Sequence, residues 1–103
     1  MNQPETTLAE LQRHVETFEA ERGFDRKGVI EQCLLLAEEV GELFKAVRRR
    51  ERLAVDPESA IGGVDEELAD VLLMLAAVAN RLDVDLSTAL RAKAAVNSGR
   101  TWR

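Results

Sequence analysis

The stretch that decides the fold is residues 28–50, GVIEQCLLLAEEVGELFKAVRRR. It contains no proline, and its first half is densely apolar. It ends in three arginines, which are favourable at a helix C-terminus because they complement the helix dipole. The stretch predicts one long helix, and its acidic centre is the feature that a purely structural helix does not explain.

Three further helices follow from apolar spacing and end signals; they are predicted over residues 7–22, 64–82 and 86–96. The first opens with Thr7 and Glu10, the spacing of a capping box, and ends at Gly23. Its apolar stripe is formed by Leu8, Leu11, Val15 and Phe18. Asp85 is the expected N-cap of the last helix. Residues 53–63 are predicted to form the main loop, and the fold class is all-α, a four-helix bundle.

Length and composition limit the number of domains and the kinds of partner that the chain can have. The chain has 103 residues, 46% hydrophobic and 32% charged, which predicts a single domain over residues 1–103. Its net charge of -5 argues against a nucleic-acid polymer as partner and against a polybasic membrane anchor. The longest apolar run, residues 71–79, is far below the roughly 20 residues of a membrane span. With one cysteine, Cys33, no internal disulfide forms, so a cytoplasmic location is expected.

The third helix is hydrophobic on most of its circumference, a pattern typical of a helix buried on several sides. The other three helices of so short a chain hardly suffice to bury the third helix on several sides. We therefore expect the second and third helices to meet a partner chain, giving a homodimer or homotetramer.

The second helix carries Glu38, Glu39 and Glu42 inside its apolar run. Carboxylates three or four positions apart share a helix face and repel each other. The third helix adds Glu67 and Asp70, again three positions apart. Antiparallel packing of these helices would bring the two sets together.

Four converging carboxylates (Glu39, Glu42, Glu67 and Asp70) form a hard oxygen site that suits Mg²⁺, and Mn²⁺ would serve as well. The alternative is that these acids are solvated and that those at the start of the third helix only complement its dipole. A thiolate zinc site is excluded because Cys33 and His14 are the only cysteine and histidine. An EF-hand loop and a di-iron bundle lack their required spacings.

The end of the chain is basic, since no acid follows Asp85. Lys93, Asn97 and Arg100 would suit a polyphosphate bound beside a metal. The alternative is that these cations satisfy the dipole of the last helix. Trp102 more often fills a core or an interface than stacks on a base.

These residues together resemble a known family. The pattern Glu38-Glu39-x-x-Glu42, followed after 24 residues by Glu67-x-x-Asp70, is similar to the EExxE…ExxD signature of the MazG-like all-alpha nucleotide pyrophosphohydrolases. Lys93, Asn97, Arg100 and Trp102 extend the resemblance, which covers about residues 11–102. It implies Mg²⁺-dependent hydrolysis of a nucleoside triphosphate between the α and β phosphates, and assembly into dimers or tetramers.

The resemblance also implies individual roles. Glu39, Glu42, Glu67 and Asp70 match the metal ligands, and Glu38 matches the residue that orients or deprotonates the attacking water. Lys93, Asn97 and Arg100 match positions that contact phosphates or the metal shell. Some relatives carry an aromatic residue for base stacking where this chain has Met74.

Two alternatives to the activity on nucleoside triphosphates remain open at this point. One is a non-catalytic helical dimerisation or adaptor module with solvated acids. The other keeps the pyrophosphohydrolase chemistry but acts on a modified nucleotide or another pyrophosphate-containing metabolite. The sequence does not indicate the base, the sugar or the physiological role.

Overall fold

The computed structural model describes residues 5–53 and 62–99. In these ranges the chain is all-helical and contains no strand. The elements are α1 (Leu8–Arg22), a short 3₁₀ helix (Phe24–Arg26), α2 (Val29–Arg50), α3 (Val64–Arg81) and α4 (Leu86–Ser98). The four predicted helices are confirmed to within one or two residues at each end, whereas the 3₁₀ helix was not predicted. Most of the predicted loop, and Arg100 and Trp102, lie outside the described residues.

The ends of α1 form as their sequence indicates. The Thr7 hydroxyl accepts a hydrogen bond from the Glu10 backbone N–H at 3.1 Å, and the Glu10 carboxylate accepts one from the Thr7 N–H at 3.1 Å. Gly23 closes the helix with a φ of 70°, a left-handed conformation that glycine adopts without steric cost. The chain then turns through the 3₁₀ helix into α2.

Helices α2 and α3 pack antiparallel along their length. Contacts at three levels show this: Gln32 with Met74, Glu39 with Asp70, and Ala46 beside Val64. Residues later in α2 thus meet residues earlier in α3. This register places the acidic centre of α2 opposite the acidic start of α3, as the sequence predicts.

The core is small. Leu11 and Val15 of α1 pack on Ala76 and Ala77 of α3, and no large side chain among the described residues is fully buried. Phe18, the last residue of the predicted apolar stripe of α1, is 40% exposed. None of the described helices is long and apolar enough to cross a membrane.

The turn between α3 and α4 is fixed by an amide from α1. The Gln12 Nε2 group donates to the Asn80 side-chain oxygen at 3.0 Å and to the Val84 carbonyl at 2.8 Å. The Gln12 Oε1 atom accepts from the Leu86 N–H at 2.9 Å. Asp85 takes the predicted N-cap position, but its carboxylate accepts from the Thr88 hydroxyl at 2.6 Å. Gln12 therefore satisfies a donor in the first turn of α4, from across the bundle.

Candidate active site

Three carboxylates converge where α2 crosses the start of α3. One oxygen each of Glu39, Glu67 and Asp70 lies within 4.8 Å of the other two. Glu39 is partly buried and Glu67 is only 8% exposed. Carboxylates so placed repel each other strongly, because burial removes the water that would screen them.

The Glu67 side chain is oriented by the backbone that precedes α3. The Gly62 N–H donates to Glu67 Oε1 at 3.0 Å. A Cβ atom at residue 62 would lie 3.1 Å from that same oxygen and 2.6 Å from a Glu66 carboxylate oxygen. Glycine at this position therefore permits the close approach that holds Glu67 in the cluster.

In residues 5–53 and 62–99, no ion pair described gives the cluster a protein cation. One ion pair joins Glu42 to Lys45 and another joins Glu19 to Arg81, and neither involves the three clustered carboxylates. Burial raises the pKa of Glu39 above its ordinary value of 4.5, and the charges of Asp70 and Glu67 raise it further. The site is thus an acidic centre that favours a bound cation or a proton.

Two other predicted site residues border this centre without joining it. The Glu42 carboxylate lies 3.5 Å from the Lys45 ammonium, an exposed pair one turn apart. Glu38 is exposed on the surface of α2. Both still contribute negative charge at Glu39 and help to raise the pKa of that carboxyl. Their predicted roles, metal ligand for Glu42 and catalytic residue for Glu38, remain predictions.

The predicted phosphate-binding residues lie on α4 and beyond it. Lys93 is exposed and Asn97 is partly buried. The Asn97 side-chain oxygen is buried and has no hydrogen-bond partner among the described residues. Neither residue lines the cavity that reaches the carboxylates. Arg100 lies outside the described residues, so its role also stays a prediction.

A cavity of about 300 Å³ adjoins the carboxylate cluster, and Asp70 forms part of its wall. We call it the α1–α3 cavity. The rest of its lining is mostly apolar but also holds the charged residues Glu19 and Lys27; the other members are His14, Val15, Phe18, Phe24, Gln32, Leu35, Leu73, Met74 and Ala77. The rings of Phe18 and Phe24 lie 6.3 Å apart, centre to centre, and are tilted by 57°. An apolar cavity with a few polar groups is the common form of a small-molecule site.

Sequence reasoning missed this cavity. It placed Phe18 on the apolar stripe of α1 and gave no role in the site to His14 or Phe24. His14 is exposed, but its ring lies 6.4 Å from that of Phe18 and borders the cavity. A signal was present in Gln32, the uncharged polar residue within the apolar first half of α2.

The donor set fits a hard divalent cation. Oxygens bound to one Mg²⁺ lie about 3.0 Å apart when adjacent and about 4.2 Å apart when opposite, because the ion is octahedral and each Mg–O bond is about 2.1 Å long. The clustered oxygens lie within 4.8 Å of one another, so side-chain rotations would bring them to these spacings. Three carboxylates beside an apolar cavity define the class: an all-α protein with a site for a small ligand that has an anionic and an apolar part.

Comparison with known proteins supplies the family. Residues 29–97 match the family model of the MazG nucleotide pyrophosphohydrolase domain. The chain is also 35% identical over 98 residues to a protein of Cyanophage S-2L named dATP/dGTP diphosphohydrolase, covering 93% of this chain and 78% of that protein. The chain therefore belongs to the MazG nucleotide pyrophosphohydrolase family, as its motifs predicted. It is an enzyme of the hydrolase class, and the predicted alternative of a non-catalytic adaptor is set aside.

Proposed function

We propose that this enzyme hydrolyses (deoxy)nucleoside triphosphates between the α and β phosphates, releasing the monophosphate and pyrophosphate. The observation that supports this best is that Asp70 belongs both to the carboxylate cluster and to the wall of the α1–α3 cavity. A nucleotide has the matching halves, a charged polyphosphate and a flat, largely apolar base. The cyanophage relative's name points to dATP and dGTP as the first substrates to test.

Glu39, Glu67 and Asp70 would hold Mg²⁺, or Mn²⁺, because carboxylate oxygens are the ligands both ions prefer. When bound there, the ion would offset charge on the phosphate oxygens and lower the pKa of a bound water. Without it, three uncompensated carboxylates would repel a triphosphate. The Lys45 ion pair keeps Glu42 beside this group, and Glu42 would join it when its side chain rotates.

Other residues would serve the reaction directly. Glu38 lies on the same turn of α2 as Glu39 and is exposed, so it can accept a proton from the attacking water. Lys93 and Arg100 would stabilise the charge that develops on the leaving pyrophosphate. The unpartnered oxygen of Asn97 needs a donor from outside the described residues, as a substrate hydroxyl or a bound water would provide.

The nucleoside half of the substrate would occupy the α1–α3 cavity. Phe18 and Phe24 are 40% and 42% exposed. A cation covers one face of each ring, the Arg22 guanidinium over Phe18 at 4.2 Å and the Lys27 ammonium over Phe24 at 4.9 Å, so a base would stack on the other face. Met74 also lines the cavity, and some relatives use an aromatic residue there. The stacking surface would therefore come from α1 and the 3₁₀ helix.

The decisive experiment is product analysis by ion-exchange chromatography. Purified protein with Mg²⁺ and dATP or dGTP should release dNMP and pyrophosphate, and EDTA should abolish the reaction. Glu39→Gln should lose most of the activity, whereas the control Glu66→Gln, an exposed neighbour at the start of α3, should retain it. Release of dNDP and phosphate, or no turnover of any nucleotide, would contradict the proposal.

We also propose that two copies associate through α2 and α3. Five exposed positions at alternating steps of four and three form one stripe along α2; they are Ile30, Leu34, Ala37, Gly41 and Phe44. Leu68, Leu72 and Leu75 repeat this spacing on α3 and are 52%, 45% and 42% exposed. Such 3–4 spacing is the seam pattern of packed helix pairs, and large apolar patches are uncommon on monomers.

Two further observations support a second copy on this face. A Cβ at Gly41 would meet no atom within 4 Å, so the chain's own packing gives no reason for a helix-weakening glycine there. The radius of gyration, 16.1 Å, exceeds the value of about 13 Å expected for a compact domain of this length. Homodimers and homotetramers would both satisfy these features.

Light scattering after size-exclusion chromatography tests the assembly. The wild type should elute as a dimer or tetramer, and Leu34→Glu should shift it towards the monomer because it buries a charge in the seam. Leu90→Glu, on α4 and 60% exposed, is the matched control and should leave the mass unchanged. A monomeric wild type would contradict this part of the proposal.

The wider role follows from the chemistry. Removal of triphosphates as monophosphates suits nucleotide-pool housekeeping in the cytoplasm. A modified nucleotide or another pyrophosphate-containing metabolite would fit the same carboxylates. A substrate panel that includes damaged nucleotides would separate these cases by their kcat/KM values.

A further inference from the structure

Gln32 is an unusual residue for its position. It is only 2% exposed and lies between α2 and α3, where an apolar side chain would pack at no polar cost. Its Nε2 group donates to the Met74 sulfur at 3.1 Å. A thioether is a weak acceptor, so this contact repays little of the free energy that burying an amide costs.

The distance between Gln32 and the carboxylates suits the length of a nucleotide. It lies seven positions before Glu39 on α2, which corresponds to about 10 Å along the helix axis. It also lines the α1–α3 cavity, whose wall includes Asp70. A ligand with its phosphates at the carboxylates would therefore place its base, one sugar further on, beside the Gln32 amide.

We propose that Gln32 is a specificity-determining residue that hydrogen-bonds the edge of the nucleobase. This inference rests on the proposed function and deepens it. A glutamine amide offers a donor and an acceptor side by side, which matches a base edge that presents an acceptor next to a donor. The weak contact with Met74 would be exchanged for these stronger hydrogen bonds. Stacking on Phe18 and Phe24 would tolerate any base, so discrimination would come from the amide.

The test measures kcat/KM for dATP, dGTP, dCTP and dTTP with the wild type and with Gln32→Met. Methionine keeps the length and volume of the side chain and removes both hydrogen-bonding groups. The ratio between the best and the worst substrate should shrink by about tenfold or more, because one base-edge contact is lost. The inhibition constant of inorganic pyrophosphate, which lacks a base, should stay the same.

Gln12→Leu is the matched control, since it removes a structural amide outside the α1–α3 cavity and should keep the wild-type ranking of substrates. Gln32→Asn keeps the amide but shortens its reach, so it should also reduce the differences between the four nucleotides. It replaces Gln32→Met as the test variant if the methionine variant does not fold. A wild type without base preference, or an equal loss for all four nucleotides in the variants, would overturn the role of Gln32. A wild type that hydrolyses no nucleotide, or that releases dNDP and phosphate, would overturn the proposed function as well.

Discussion

Buried charges at the two ends of α3 differ in whether a partner of opposite charge neutralises them. At the C-terminal end, Arg81 forms a two-point ion pair with Glu19 at 2.7 and 3.0 Å, and both side chains are 11% exposed. The Arg81 guanidinium also donates to the backbone carbonyls of Lys27, Ala77 and Phe24, at 2.9, 2.9 and 3.0 Å. Near the N-terminal end, Glu39, Glu67 and Asp70 converge, and no ion pair among the described residues neutralises them.

The difference separates a structural charge from a functional one. A buried ion pair whose hydrogen bonds are satisfied ties elements together, here α1, α3 and the 3₁₀ helix. A cluster of like charges without a partner costs stability, and a fold retains it where a ligand supplies the missing charge. The contrast predicts how substitutions at each end of α3 change stability and activity.

Removing the cation at the satisfied end should cost the most stability. Arg81→Met should lower the free energy of unfolding by about 3–5 kcal/mol, because it leaves Glu19 buried without a partner. Urea unfolding at one fixed protein concentration would measure this. The double variant Glu19→Gln with Arg81→Met should recover part of the loss, since the uncompensated charge is gone. A double variant no more stable than Arg81→Met would show that the charge is not the cause.

Removing a charge at the other end should have the opposite effect on stability. Asp70→Asn should lower kcat/KM by about 100-fold or more, because a proposed ligand of the ion is weakened. Its melting temperature without divalent ions should rise or stay the same, since repulsion with Glu39 falls. Asp65→Asn, an exposed change on the first turn of α3, should alter neither quantity appreciably. A lower metal-free melting temperature for Asp70→Asn would break the contrast.

A smaller effect is expected at the α3–α4 turn. Gln12→Leu leaves the Leu86 N–H, the Asn80 side-chain oxygen and the Val84 carbonyl without the Gln12 amide, which should cost about 1–3 kcal/mol. Hydrogen exchange of α4 should then quicken more than that of α2. Gln12→Glu keeps the acceptor for the Leu86 N–H but turns a carboxylate oxygen towards the other two acceptors, so it should lose at least as much. Equal exchange rates for α4 in the wild type and Gln12→Leu would show that this amide does not hold α4.

The last prediction concerns pH. The pKa of Glu39 is raised above 4.5 in the folded protein, so folding favours the protonated carboxyl. Metal-free stability from this group is therefore greatest below the ordinary pKa and declines as pH rises through the raised pKa. Stabilisation by Mg²⁺ should grow over the same interval, because binding displaces the proton. Thermal melts with and without Mg²⁺ at a series of pH values would measure this stabilisation, and Glu39→Gln should weaken its dependence on pH.

The helices were predictable because their signals are local. The capping box of Thr7 and Glu10, the stop at Gly23 and the 3.6-residue spacing each act within a few residues, and the structure confirms them. The convergence of Glu39, Glu67 and Asp70 was also predictable, since two long antiparallel helices allow few registers. Glu42 was expected in the same group, but a local partner, Lys45, competes for its side chain.

The cavity was not predictable because it depends on distant segments. Phe18 and Phe24 meet only because the 3₁₀ helix folds the chain back after Gly23, and no local pattern fixes the direction of that turn. The Arg81–Glu19 pair joins residues 62 positions apart. Long-range polar pairs of this kind produce no periodic pattern in the sequence.

Periodicity, caps and motif spacing are properties of neighbouring residues, so the four helices, the antiparallel central pair, three of the converging carboxylates and the family follow from the sequence. The folded structure was needed to show that Glu42 is paired with a lysine and that a cavity with a buried glutamine adjoins the carboxylates. Burial and charge neutralisation depend on which surfaces come together. The residues next to a side chain in the sequence do not specify which residues contact it in the folded protein.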